Sequence, residues 1–205
     1  MRRPGSFAGP EQAIEFVPSD LEKPLDLGKV FADANAPLEV DLGCGDGLFL
    51  TARAAQNPTR NFLGIERLVG RVRTSCRRIS RLNVMNARLI RADIGHAVKS
   101  LLPQGSVDVF YLLFPDPWPK RRHQTRRVFN AALLEAVASA LKPRGMFYIA
   151  TDQPEYAAEM KRVVKASVLL QEVEATDELP RTTFAQRFTD AGLEIHRLAL
   201  RKVCG

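Results

Sequence analysis

Leu38-Glu39-Val40-Asp41-Leu42-Gly43-Cys44-Gly45-Asp46-Gly47 reads as a short apolar strand, Leu38 to Leu42, running directly into a glycine-rich turn. Glycines at 43, 45 and 47 let the chain bend sharply and let a ligand approach the backbone beside a helix start. That helix is expected through Ala55. Outward from this unit the same alternation recurs. Further strands are expected at Asn61 to Ile65, Ala87 to Ile90, Val107 to Phe114 and Met146 to Thr151. Helices are expected at Leu68 to Leu82, Ile94 to Leu101 and Val128 to Leu141, the last leading into a turn at Lys142-Pro143-Arg144-Gly145. Pro154 suits the first turn of another helix, to Ala166, and Val168 to Glu174 and Leu193 to Arg201 read as two closing strands. The alternation implies an α/β fold, a mostly parallel seven-stranded sheet with helices on both faces. Two closing strands in succession put an antiparallel hairpin at one edge. Residues 1–37 show several prolines and no sustained period. They are expected to form an N-terminal arm with a short helix or two, and residues 38–205 the main domain.

The 205 residues amount to one ordinary domain, and a 45% hydrophobic content suffices for a core without disulfides or a structural metal. Cys44, Cys76 and Cys204 lie far apart, and His96, His123 and His196 form no ligand or triad pattern, so no metal site is expected. Cys44 and Cys76 read as small buried hydrophobes in a reducing compartment. A formal charge of +7 and a pI near 9.7 favour polyanionic partners such as nucleic acid. The sequence shows neither a signal-peptide core nor an apolar run of membrane-spanning length, so a soluble, cytoplasmic protein is expected.

The glycine-rich turn is not the dinucleotide fingerprint, which wants G-x-G-x-x-G; here G-x-G-x-G follows an acid. Asp41 would repel a pyrophosphate. It suits a cationic ligand, such as the ammonium or sulfonium region of S-adenosylmethionine. Glu66 ends the second strand about 20 residues after Gly43, where an acid binds ribose hydroxyls. Asp93 ends the third strand, where a carboxylate could accept from an adenine amino group while Ile94 packs on the ring. The plainer alternative makes Asp93 only the N-cap of the next helix. Three acids at successive strand ends, with Gly43 and Gly45 in the first turn, read together as an S-adenosylmethionine pocket.

After the fourth strand comes FPDPWPKRRHQTRR, Phe114 to Arg127. Pro115, Pro117 and Pro119 fix φ and deny this loop a regular helix or a sheet ladder. It presents Asp116 and Trp118, the one tryptophan, ahead of Lys120, Arg121, Arg122, Arg126 and Arg127, with His123 joining them when protonated. An acid, an aromatic plate and a cationic strip at a strand's carboxyl end suggest a site for a base on a phosphate-rich polymer. The cations would hold phosphates and set register. A solvated surface loop is the plainer alternative. The helix after Glu66 carries Arg67, Arg71, Arg73, Arg77, Arg78 and Arg81 on one arc, opposite an apolar arc that includes Val72, Cys76 and Ile79. For this second strip an RNA-facing surface and an ordinary solvated face weigh equally.

From Leu25 onward the chain resembles the bacterial tRNA (guanine-N7-)-methyltransferases, the TrmB family. The resemblance rests on DLGCGDG, Gly64-Ile65-Glu66, Arg91-Ala92-Asp93, FPDPWPKRRHQTRR, Ala150-Thr151-Asp152 and TTFAQRF at Thr182 to Phe188. FPDPWPK is the specific block; the others are shared more widely among methyltransferases. The resemblance implies a Rossmann-like, S-adenosylmethionine-dependent fold that methylates a guanosine in the tRNA variable loop. Asp41, Glu66, Asp93 and Asp116 match the family's cofactor-contacting acids, and Asp116 its proposed catalytic residue. Lys120 and Asp152 match substrate-binding positions. Arg121, Arg122, Thr182, Thr183 and Phe184, in the same matched blocks, are expected to meet substrate too. The chain departs from the family at Ala185, where a Glu is usual, at Asp41, where Glu is common, and in its N-terminal arm. Two rivals are a methyltransferase of another RNA base and a non-catalytic RNA-binding module on the same scaffold. The order Asp116-Pro117-Trp118-Pro119 differs from the loop of exocyclic-amine enzymes, and the intact acids speak against a retired pocket. A nicotinamide oxidoreductase fails on glycine spacing. Monomer and homodimer stay open.

Overall fold

Every residue of the first strand, β1 (Leu38–Leu42), is buried, as a central strand covered on both faces must be. In the computed structural model, which describes residues 14–174 and 192–203, β1 lies between β2 (Asn61–Glu66) and β4 (Val107–Leu113). With β3 (Ala87–Arg91), β5 (Leu141–Thr151), β6 (Leu170–Val173) and β7 (His196–Lys202) they form one sheet of 7 strands, ordered β3-β2-β1-β4-β5-β7-β6. β1 to β5 are parallel, and β7 runs antiparallel to both its neighbours. The closing hairpin is therefore present, with its second strand inserted on the inside. Strand order reverses between β1 and β4, which opens a crevice at their carboxyl ends.

Side chains of β1 alternate between two cores. Leu38, Val40 and Leu42 join Phe110, Phe129, Phe147 and Tyr156 on one side. On the other, Phe49 packs edge-on against Tyr111 with ring centroids 4.8 Å apart, and Tyr111 stacks on Tyr148 at 5.7 Å. Glu39 faces this second side at 1% exposure. Its carboxylate accepts from the Tyr111 hydroxyl at 2.6 Å and Arg53 Nε at 3.1 Å, and Arg60 Nε stands 2.6 Å away as a second cation. A buried carboxylate is tolerated only with such partners, and here they pin β1 to β4 and to the following helix.

Among the described residues the helices are α1 (Leu27–Val30), α2 (Leu48–Gln56), α3 (Val69–Arg81), α4 (Ile94–His96, continued by a π-helical turn Ala97–Leu101), α5 (Ala131–Ala140) and α6 (Pro154–Lys165). Among the described residues none is long and apolar enough to cross a membrane. The N-terminal segment binds the far edge of the sheet. Phe16 N–H donates to the Leu89 carbonyl at 2.8 Å, Leu25 N–H to Leu101 at 2.8 Å, and the His96 ring meets the Leu21 carbonyl at 2.8 Å. It thus braces α4 from outside.

Three local expectations shift. The helix expected from Val128 begins at Ala131, because Asn130 caps it by accepting the Leu133 N–H at 3.0 Å while Phe129 is buried ahead of it. β5 already starts at Leu141, paired with Val107, and the Lys142-Pro143-Arg144-Gly145 turn is an excursion before Met146 pairs with Val109. The basic part of the proline loop winds into a 3-10 helix, Arg121–Arg126. The prolines stop at Pro119, so nothing prevents that turn.

Candidate functional site

The crevice is a cleft of about 430 Å³ at the carboxyl ends of β1 to β4. Its floor is Leu42 and Gly43, with Leu112 and Leu113 beside them. Glu66 and Arg67 enter from the end of β2, Asp93 and Ile94 from the end of β3, and Phe114 to Asp116 with Trp118 from the proline loop. Leu68, Arg71 and Arg126 complete its rim.

The first turn is built by backbone geometry that side chains resist. Gly43 has φ 77°, its N–H donates to the Ile65 carbonyl at 2.8 Å, and a Cβ there would stand 3.4 Å from Ile94 Cδ1. Gly47, at φ 74°, opens α2 so close to α3 that a Cβ would lie 2.6 Å from Ser75 Oγ. Glu66, 4% exposed, ties this turn to the next. Its Oε2 accepts from Gly45 N–H at 3.2 Å and its Oε1 from Leu68 N–H at 2.9 Å, with Arg71 Nη1 3.8 Å away.

Asp41 lies beneath that turn, at 3% exposure, and is not on the cleft wall. Its Oδ2 is buried with no hydrogen-bond partner among the described residues. Burial, reinforced by the charge of Glu66, pushes its carboxyl up to about 7. A buried carboxyl oxygen without a partner, beneath a glycine turn, is suited to a cationic ligand. Burial likewise pushes the Cys44 thiol well up, so Cys44 is a packing group, as its reading as a small hydrophobe anticipated.

Asp93 is an N-cap and a cleft residue at once. Its side chain caps α4 by accepting the His96 N–H at 3.2 Å, and it also lines the cleft with Ile94. Asp116 is exposed at the cleft mouth. On either side of it, Phe114 (φ 55°) and Trp118 (φ 41°) hold left-handed conformations, each costing about 1–3 kcal/mol for a non-glycine residue. Arg126 lies over the Trp118 ring, 5.0 Å from its centroid.

The cationic strip divides. Lys120 and Arg122 are exposed beside the cleft and do not line it. Arg126 belongs to the wall. Arg127, expected to hold phosphate, is buried at 6% exposure and paired with Glu159, so it cannot present its charge to a polymer. On α3, Arg71 turns toward Glu66, and Arg78 binds the Asp46 carbonyl at 3.1 Å and carboxylate at 3.3 Å, leaving Arg73, Arg77 and Arg81 exposed. Asp152, just past β5, accepts from the Gln153 side chain and is not on the cleft wall. Thr182, Thr183, Phe184 and Ala185, and the side chain of Arg121, lie outside the described residues. Arg67, Arg71 and Arg126 as cleft residues were not singled out from the sequence. The sequence shows them as members of the two cationic strips, next to Glu66 and within the proline loop.

A family model described as "Putative methyltransferase" matches residues 35–199. A Cutibacterium acnes protein named tRNA (guanine-N(7)-)-methyltransferase is 35% identical, over 87% of this chain and 67% of its own. One of the same name from Alkalilimnicola ehrlichii is 34% identical, over 98% of this chain and 91% of its own. Among solved structures, a SAM-dependent methyltransferase from Aquifex aeolicus superposes with TM-score 0.59 at 16% identity, covering 91% of this chain and 94% of that one. An rRNA methylase from Streptococcus thermophilus does so with TM-score 0.55 at 14% identity, covering 83% and 89%. At such identities the structural likeness speaks for the fold alone.

Proposed function

The chain belongs to the tRNA (guanine-N7-)-methyltransferase family, and from that premise we propose that its cleft methylates N7 of a guanosine in the variable loop of tRNA, in the cytoplasm. The observation that carries the reading is the meeting of Glu66, Asp93 and Asp116 in one cleft at the strand ends, with Trp118 and Arg126 at its mouth.

S-adenosylmethionine supplies an electrophilic methyl group on a cationic sulfur. The residues present fit it. Glu66 has lone pairs beyond those that take the Gly45 and Leu68 N–H groups, enough for ribose hydroxyls. Asp93 and Ile94 would offer an acceptor and an apolar surface for adenine, and Asp41, whose Oδ2 has no partner among the described residues, would balance the cofactor's positive charge.

Guanine N7 carries an exposed lone pair at neutral pH, so no base is needed to free it. The chain's task is to hold the ring in line, to exclude water and to stabilise the charge the ring gains. Alignment of this kind supplies about 7–11 kcal/mol. Asp116, fixed at the mouth, meets a base that becomes cationic, an interaction stronger in the transition state than before it. Lys120, Arg121 and Arg122 are assigned to tRNA phosphates, and Asp152 with Thr182, Thr183 and Phe184 to the substrate nucleotide, on the strength of the matched blocks.

The test is to incubate the protein with methyl-labelled S-adenosylmethionine and tRNA lacking N7-methylguanosine, digest the tRNA and identify the labelled nucleoside. N7-methylguanosine from the variable loop is expected. Label on an exocyclic amine, or cofactor binding with no transfer, would overturn the reading.

A further inference from the structure

Arg127 closes the basic run of the proline loop, yet it is buried where Lys120, Arg122 and Arg126 are exposed. Its Nε donates to the Pro117 carbonyl at 2.7 Å. Its Nη1 pairs with Glu159 of α6, and its guanidinium lies 4.7 Å over the ring of Tyr156 on the same helix. Tyr156 is fully buried, and its hydroxyl accepts the Phe129 N–H at 3.1 Å. One guanidinium thus joins the middle of the proline loop to a helix anchored in the main core.

The loop needs such an anchor. Phe114 and Trp118 both sit at positive φ, a conformation that bulky side chains keep only where their surroundings impose it. Pro115, Pro117 and Pro119 have no N–H to donate, so the loop cannot hold itself with a backbone ladder. Phe114 N–H is tied to the Ala150 carbonyl at 2.7 Å, which fixes the near end. Between Asp116 and Trp118, the Pro117 carbonyl is held by Arg127.

We propose that Arg127 is a positioning residue: from its base on Glu159 and Tyr156 it grips the Pro117 carbonyl and so fixes Asp116 and Trp118 at the cleft mouth. This rests on the assignment of the cleft to methyl transfer. The brace itself can be read without activity, because Trp118 is the sole tryptophan and reports on the loop.

Arg127→Lys keeps the charge and loses the planar fork that serves Pro117 and Glu159 together. In the full chain it should raise acrylamide quenching of Trp118 fluorescence and lower kcat about 100-fold, the effect of a small misplacement at a reacting centre. KM for tRNA and the salt slope of tRNA binding should stay at wild-type values. If Arg127→Lys fails to melt cooperatively, Glu159→Gln carries the same readings with a smaller rise in quenching. Wild-type quenching in a folded variant, whatever its kcat, would overturn the brace. So would a weakened tRNA affinity with a flattened salt slope, the signature of a phosphate contact. Should the wild-type protein methylate no tRNA, the assignment of the cleft fails, while the quenching comparison still decides the brace.

Discussion

Gly45 N–H donates to Glu66 Oε2 at 3.2 Å, so the glycine turn after β1 is held by the acid that ends β2. The second oxygen of that carboxylate accepts the Leu68 N–H at 2.9 Å, ahead of α3. One side chain therefore shapes two turns and lines the cleft at once.

Replacing it tests both duties. In Glu66→Gln one amide NH2 must face a backbone N–H, leaving a buried donor unmet at a cost of about 1–3 kcal/mol. Urea unfolding should show that loss. Isothermal titration should show S-adenosylmethionine affinity falling about tenfold, equivalent to about 1.4 kcal/mol. A variant with wild-type stability and affinity would remove Glu66 from the site.

Asp41 should make stability depend on pH in an unusual direction. Its carboxyl rises from 3.8 to about 7 on folding, because burial disfavours its charge and Glu66 adds repulsion. Between those values the folded chain keeps a proton that the unfolded chain has released, so this group's contribution to stability declines as pH rises through that window and is level above it. Asp41→Asn should gain in urea midpoint on the wild type as pH climbs from 4 to 7, the window set by that shift. A difference that does not change with pH would refute the assignment. A cation above the turn favours the ionised form, so cofactor affinity should rise over the same range.

Gly64 gives a purely steric prediction. A Cβ at this position would stand 2.5 Å from Leu89 Cδ2, 2.7 Å from Leu50 Cδ2 and 2.8 Å from Cys44 Sγ. Gly64→Ala should cost about 1–3 kcal/mol by overpacking, read as a lower urea midpoint with an unchanged slope. It should also weaken cofactor binding, since Cys44 belongs to the turn.

Lys120 and Arg122 are exposed beside the cleft, free to meet a polyanion. Reversing both charges should weaken tRNA binding and reduce its log-salt slope by about 0.7–0.9 per lost phosphate contact. S-adenosylmethionine affinity should not change. An unaltered slope would place the tRNA elsewhere.

What was legible in the sequence follows from what is local. The strand-turn unit at Leu38 to Gly47 and the acids ending successive strands mark the sheet and the edge that carries the cleft, because each depends on neighbours within a few residues. Asp93 reads as a cap or as an acceptor for adenine; the structure makes it a cap and sets it on the cleft wall. Arg127 was not separable from Arg126 by sequence. Its burial is decided by Glu159 and Tyr156, which only the folded sheet brings beneath the loop. The sequence places Asp41 at the end of the first strand but does not show that it is sunk below the cleft, since depth is set by how β1 sits between β2 and β4.

The most direct test of Asp116 as the group that meets the reacting guanine is the single-turnover rate of Asp116→Asn, with cofactor and unmodified tRNA both saturating. The account predicts methyl transfer about 100- to 1,000-fold slower, the range for losing a preorganised electrostatic contact, with both affinities within reach of wild type. Near-normal transfer by a variant that still binds cofactor and tRNA would contradict it.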